Sequence, residues 1–136
     1  MFQVIKQITF CYGHRLINYD GKCQHLHGHD AVAEIVLESE ELDERGMVVD
    51  FSDIKADISA WIDDHMDHKM LLCERDPILE KLSELGEPIY PMQDNPTAEN
   101  IAKEIYLAAQ KMGYPVVEIR LWESSSSCAT YAQAKK

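Results

Sequence analysis

The sequence predicts an α+β fold in which an antiparallel sheet is covered by helices on one face. Three observations carry this expectation. Both ends of the chain alternate apolar and polar residues with period two, the middle carries apolar residues at helical spacing, and no internal repeat or Gly-rich phosphate loop interrupts the pattern. With 136 residues, 46% hydrophobic and 27% charged, the chain fits one domain over 1–136 with a single core.

The first segment places Phe2, Val4, Ile8, Phe10, Tyr12 and His14 in one phase, as a strand that ends on a histidine. Ala31, Ala33, Ile35 and Leu37 form a second strand face and continue the odd parity of His27 and His29. From Asp50 the period changes. Phe51, Ile54, Ile58, Trp61 and Ile62 predict an amphipathic helix, capped by Asp50 or Ser52 and ending near 64–67. A short helix follows Pro77 and stops at Gly86, after which GEPIYPMQDNP reads as a loop whose internal prolines exclude regular structure. A third helix starts at Asn95-Pro96-Thr97, with either Asn95 or Thr97 as cap and Ile101, Ile105, Ala109 and Met112 as its stripe. Gly113 and Pro115 stop it. Period two then returns, with Val117, Ile119, Leu121 and Glu123 in the core phase, and a last strand is expected over 128–132.

Twenty-four acidic against 13 basic side chains give a net charge of -11, which argues against nucleic acid or an anionic membrane as partner. No apolar run approaches the roughly 20 residues of a membrane span. MFQVIKQITF alternates instead of presenting a basic start and an apolar block, so the expectation is a cytoplasmic protein. Cys11, Cys23, Cys73 and Cys128 are scattered and lack CxxC spacing, which predicts reduced thiols. The acid run over 38–44 reads as a solvated loop.

Chemistry concentrates in CQHLHGH, residues 23–29. His27 and His29, at i and i+2 on a strand, present two imidazoles to one side, and His14 at the end of the neighbouring apolar face offers a third. Three neutral imidazoles with an open fourth position suit catalytic zinc, whereas a closed structural site needs four ligands. Cys23 could close such a site, and His25 shares the parity and could compete. Asp67-His68 puts a carboxylate beside an imidazole, a general acid/base device, although His65 and Asp64 offer the same pairing and a solvated helix end explains either. Glu123 in core register needs a partner or a pocket, unless the strand ends at Leu121 and Glu123 opens the SSSS loop.

FCYGHRL, CQHLHGH, GMVVDFSDIK, MDH, NPTAEN and LWE, in this order across nearly the whole chain, resemble the family of 6-pyruvoyl-tetrahydropterin and 6-carboxy-tetrahydropterin synthases. The resemblance implies a tunnelling fold, in which four-stranded subunits with two helices join sheets into a barrel, as a homohexamer made of two trimers with active sites between subunits. Barrel closure would remove the free sheet edges. It further implies that His14, His27 and His29 bind zinc and that Cys23 is the general base. Asp67 and His68 would form the catalytic pair acting across a subunit boundary, and Glu123 would anchor the guanidine-like edge of a pterin.

The implied substrate is 7,8-dihydroneopterin triphosphate, and Lys22, His25 and Arg15 are the candidates for a local positive pocket around the triphosphate. Two features depart from the family pattern. Asp30-Ala31 follows HGH where an aromatic or larger residue is common, and the segment from Cys73 to Asp94 is longer than in compact members; both bear on the pocket's shape and hence on the product. The Cys-x-x-x-His-Gly-His form and the small size lean toward the carboxy product with release of triphosphate and acetaldehyde, on the route to queuosine and other deazapurines. Alternatives are a 6-pyruvoyl-forming synthase, a non-catalytic zinc-binding module with Cys23 as fourth ligand, and a pterin-binding relative with other chemistry.

Overall fold

The computed structural model, which describes residues 1–134, places six strands in one sheet. Strands β1 (Phe2–His14) and β2 (His27–Ser39) pair antiparallel along their whole length, from Phe2 opposite Ser39 to His14 opposite His27. Burial follows parity. Ile8, Phe10, Tyr12 and His14 of β1 and Ala31, Ala33, Ile35 and Leu37 of β2 are buried on one face.

Between β2 and the rest of the sheet, Asp50 caps the next helix by accepting from Ser52 N at 2.9 Å. The helix runs as α1 (Phe51–Ile54), a π-helical stretch Lys55–Ser59, and α2 (Ala60–His65). Ile54, Ile58, Ile62 and Met66 are fully or nearly fully buried. A strict spacing of four drifts around an α-helix of 3.6 residues per turn, and the wider π turn brings these side chains back onto the sheet. Phe51, expected in the stripe, is 48% exposed at the helix start.

The expectation of four antiparallel strands needs correction. After α2 come β3 (Lys69–Cys73), parallel to the end of β1, then α3 (Ile78–Glu84), then β4 (Ile89–Met92), parallel to β3. β3 escapes the alternation test because Leu71, Leu72 and Cys73 are all buried, so it reads as a short apolar run. β4 lies inside the stretch assigned to a loop. It is one of the sheet's two edge strands, and its Pro91 is exposed, at a position where a missing N–H breaks no ladder.

Thr97, not Asn95, caps α4 (Ala98–Lys111), accepting from Asn100 N at 3.2 Å. Ile101, Ala102, Ile105, Tyr106 and Ala109 are buried, while Met112 lies beyond the helix and is 40% exposed. β5 (Val116–Ser124) returns antiparallel to β2, and β6 (Ser127–Tyr131) pairs with β5, giving the order β4-β3-β1-β2-β5-β6. The β2–β5 register shifts between Val36 and Leu37, whose partners are Glu118 and Val116. Val117 is therefore the extra residue of a bulge, and Val116 takes the core position expected of it. Both helical layers pack on the same sheet face in one continuous core. Within the acid run, Glu38 and Ser39 end β2 and the remainder is irregular.

At one end of this core Arg15 meets Asp76, which is 3% exposed. Arg15 Nε donates to Asp76 Oδ2 at 2.8 Å, its Nη2 donates to Oδ1, and Ile78 N donates to Oδ1 at 2.9 Å at the start of α3. Burial works to raise the Asp76 carboxyl, but Arg15 and the Ile78 N–H outweigh it and hold the group below the ordinary carboxylate range. Asp76→Ala leaves a half-buried guanidinium unpaired and α3 without its acceptor. The expected loss is roughly 3 kcal/mol in urea denaturation at pH 7; a change within the scatter of surface substitutions would contradict this account.

Candidate metal centre

The β1–β2 register sets His14 directly opposite His27 and Tyr12 opposite His29, with all four rings on the core face. The rings of His14, His27 and His29 lie 4.5, 5.1 and 5.0 Å apart by centroid, and one ligand nitrogen from each falls within 4.8 Å of the others. Gly28 between the two histidines of β2 serves this approach, since a Cβ there would stand 3.1 Å from the Tyr12 carbonyl oxygen.

Two of the three imidazoles are oriented by main-chain carbonyls. His14 Nδ1 donates to Pro96 O and His27 Nδ1 to His25 O, both at 2.7 Å. With Nδ1 carrying the proton, each Nε2 presents a lone pair, and the Nε2 atoms of His14 and His27 are buried without any hydrogen-bond partner. Buried polar atoms lacking partners are rare, and two of them converging with a third imidazole fit a divalent metal ion. Burial, opposed by the Pro96 hydrogen bond, moves His14 below the ordinary imidazole value, so it is neutral and able to bind metal at pH 7.

The carbonyl of Pro96 is itself fixed. Asn95 donates from Nδ2 to Ile17 O at 2.7 Å and accepts from Ile17 N at 2.9 Å, while Asn100 donates to Asn95 O at 2.9 Å. The start of α4 is thereby tied to the chain just beyond β1. Nothing in the sequence pattern marks Asn95 or Pro96 for this task, because a helix start explains them fully.

Glu123 sits beside the cluster, which agrees with its core register. Its Oε1 lies 4.0 Å from His14 Nε2 and 3.9 Å from His29 Nε2, and it accepts a hydrogen bond from the Tyr12 hydroxyl at 3.1 Å. Tyr12 was not singled out by the sequence reading, although it shares the phase of His14.

Cys23 lies in a 3-10 turn, Lys22–Gln24, just before β2 and is half-buried; it is not among the donors gathered around the three histidines. The imidazole of His25 is exposed and only its carbonyl serves the cluster. Lys22 is exposed on the same turn. Arg15 is committed to Asp76, within the 73–94 segment.

Asp67 and His68 stand elsewhere. Asp67 Oδ1 accepts from Cys11 N at 2.9 Å, its Oδ2 accepts from His68 Nδ1 at 2.8 Å, and His68 N donates to Cys11 O at 2.7 Å. Cys11 belongs to the phase of β1 opposite to His14. His68 lines a groove of about 590 Å³ with Cys11, Gly13, His27, Gly28 and Met70. Burial tends to raise the Asp67 carboxyl, yet the Cys11 N–H and His68 hold it below the ordinary range. Its backbone neighbour is strained: His68 has φ 58, the left-handed position after α2 where glycine is favoured, and its side chain is 78% exposed.

A family model described as 6-pyruvoyl tetrahydropterin synthase matches residues 3–134. The protein named 6-carboxy-5,6,7,8-tetrahydropterin synthase from Rickettsia bellii is 44% identical over 104 residues, covering 75% of each chain. The protein of the same name from Haemophilus influenzae is 30% identical over 141 residues, covering 98% of this chain and 100% of its own. Among solved structures, an uncharacterized protein from Wolinella succinogenes superposes with a TM-score of 0.82 at 26% identity, covering 98% of both chains. The 6-pyruvoyl tetrahydropterin synthase of Caenorhabditis elegans shares the fold, with a TM-score of 0.73 at 22% identity and coverage of 98% and 96%.

Three outcomes follow from the geometry. Cobalt(II) titrated into the metal-free protein binds one ion per chain at pH 7.5, and His27→Ala abolishes binding. The affinity of the native chain falls on acidification, as protons compete with the metal for the imidazoles. His68→Gly relieves the left-handed backbone and raises unfolding stability by up to about 1 kcal/mol, read by urea denaturation, because the exposed imidazole contributes no packing.

Proposed function

Because the chain belongs to the 6-pyruvoyl tetrahydropterin synthase family, we propose that it converts 7,8-dihydroneopterin triphosphate and one water to 6-carboxy-5,6,7,8-tetrahydropterin, releasing triphosphate and acetaldehyde, with zinc as cofactor. The observation that carries this reading is the convergence of two unpartnered, buried Nε2 atoms and His29 beside the half-exposed carboxylate of Glu123. The names borne by the relatives from Rickettsia bellii and Haemophilus influenzae favour the carboxy product over the pyruvoyl one.

His14, His27 and His29 would hold the zinc, which when bound supplies Lewis acidity toward the hydroxyls of the substrate's side chain. Glu123 accepts hydrogen bonds from the ring N–H and amino group of the pterin, fixing the ring so that its side chain meets the histidine cluster. Cys23, on the turn before β2, removes a carbon-bound proton as thiolate. Asp67 holds His68 through Nδ1, which leaves Nε2 free to pass a proton. The pair is not among the donors gathered with the three histidines, and in this reading it serves the site of a neighbouring subunit in a cytoplasmic homohexamer of two trimers. Lys22 and His25, exposed beside Cys23, receive the triphosphate, Lys22 by its charge and His25 as a hydrogen-bond donor. Arg15 contributes indirectly, since its guanidinium is held by Asp76.

The test is incubation of the zinc-loaded protein with 7,8-dihydroneopterin triphosphate, with the pterin product identified by mass and acetaldehyde assayed in parallel. The carboxy product with acetaldehyde is expected. The pyruvoyl product would keep the site and change the reaction, and absence of turnover would favour the non-catalytic metal module. Cys23→Ala is expected to keep one zinc per chain while turnover falls about 10²–10⁴-fold; loss of the metal instead would make Cys23 a ligand.

A further inference from the structure

Tyr12 occupies a position that the proposed chemistry leaves unused. It is 3% exposed, lies two residues before His14 in the same phase, and meets that ring edge-on at a centroid distance of 5.0 Å. A phenylalanine would fill the same space. The hydroxyl has a single partner, Glu123 Oε1 at 3.1 Å, and among the described residues nothing donates to Glu123 Oε2.

We propose that Tyr12 is a positioning residue for ligand recognition: its hydroxyl fixes the Glu123 carboxylate so that both oxygens face a ligand carrying two adjacent N–H donors. A carboxylate receives such an edge only if both oxygens lie in the plane of the donors. Glu123, a flexible side chain with half-exposed surroundings, does not hold that plane unaided. Its Oε1 stands 3.9 and 4.0 Å from two metal-binding nitrogens, so a small rotation without the tether would bring it toward the histidine cluster and away from the ligand. Tyr12 therefore sets two things at once, the plane of the carboxylate and its distance from the cluster. The inference rests on the reading of Glu123 as the anchor of the pterin edge.

The experiment titrates neopterin, an oxidised pterin, and its 2-oxo analogue, which lacks the amino donor, into zinc-loaded native protein, Tyr12→Phe and Glu123→Gln, following ligand fluorescence. In Tyr12→Phe the neopterin affinity is expected to fall about tenfold while the analogue changes less than about twofold, so the preference for the amino form collapses. Zinc content and thermal midpoint stay as in the native protein, and in turnover KM rises more than kcat falls. An unchanged preference in Tyr12→Phe, with Glu123→Gln strongly weakened, would show that Tyr12 only fills space and would overturn the proposal while leaving the Glu123 reading intact. Indifference of neopterin binding to both variants would remove the anchor and this inference with it. Glu123→Asp, which withdraws the carboxylate from Tyr12 without touching the core, provides a second route. Its effect and that of Tyr12→Phe must be strongly non-additive, and simple additivity would overturn the proposal.

Discussion

The candidate site depends on the unslipped pairing of β1 with β2. Thirteen consecutive pairs put His14 opposite His27 and Tyr12 opposite His29. Because side chains alternate strictly along a strand, a slip of one residue would send His27 and His29 to the other face while His14 stayed behind. The register is pinned far from the histidines, by Ile8, Phe10, Ala31, Ala33, Ile35 and Leu37, all within the core. The hydrophobic effect acting on these side chains thus decides whether three imidazoles meet. Along β1 the buried phase grades from aliphatic Ile8 through Phe10 and Tyr12 to His14, so the core passes into the site without a boundary.

What the register brings together, carbonyl groups aim. An imidazole on a strand can rotate and can carry its proton on either nitrogen. Pro96 O and His25 O remove both freedoms by taking the Nδ1 protons of His14 and His27. These acceptors belong to a helix start and to a tight turn, elements that end strands and cap helices in any protein of this kind. The double hydrogen bond between Asn95 and Ile17 then couples the two ends of a long excursion in sequence. Local geometry that looks merely structural becomes part of the donor set.

Period two made β1, β2 and β5 legible, and with them His14, His27, His29 and Glu123. Period 3.6 did the same for the helices. The failures have specific causes. β3 is buried on both sides over Leu71, Leu72 and Cys73, so it shows no alternation, and β4 holds a proline that only an edge strand tolerates. The bulge at Val117 is set by the fit of β5 to β2 and leaves no compositional trace. Tyr12 was overlooked because a tyrosine in core phase needs no explanation until its hydroxyl is seen to have one acceptor. Arg15 is a candidate for a positive pocket by its place beside the histidines in sequence, and only the fold reveals its partner, buried Asp76, sixty-one residues away.

The two ends of the sheet serve different purposes, and their energetics differ accordingly. Toward the start of β1 the outward phase carries Gln3 and Gln7 hydrogen-bonded to Glu38 and Glu34, exposed pairs of small consequence to stability. Toward its end lie the buried lone pairs of His14 and His27, the carboxylate of Glu123 against Tyr12, the neutralised Arg15–Asp76 pair, and His68 in a left-handed backbone. Each of these costs free energy in an empty apolar setting, and none would persist by packing alone. Their concentration in one place means that the apolar remainder must over-determine the fold.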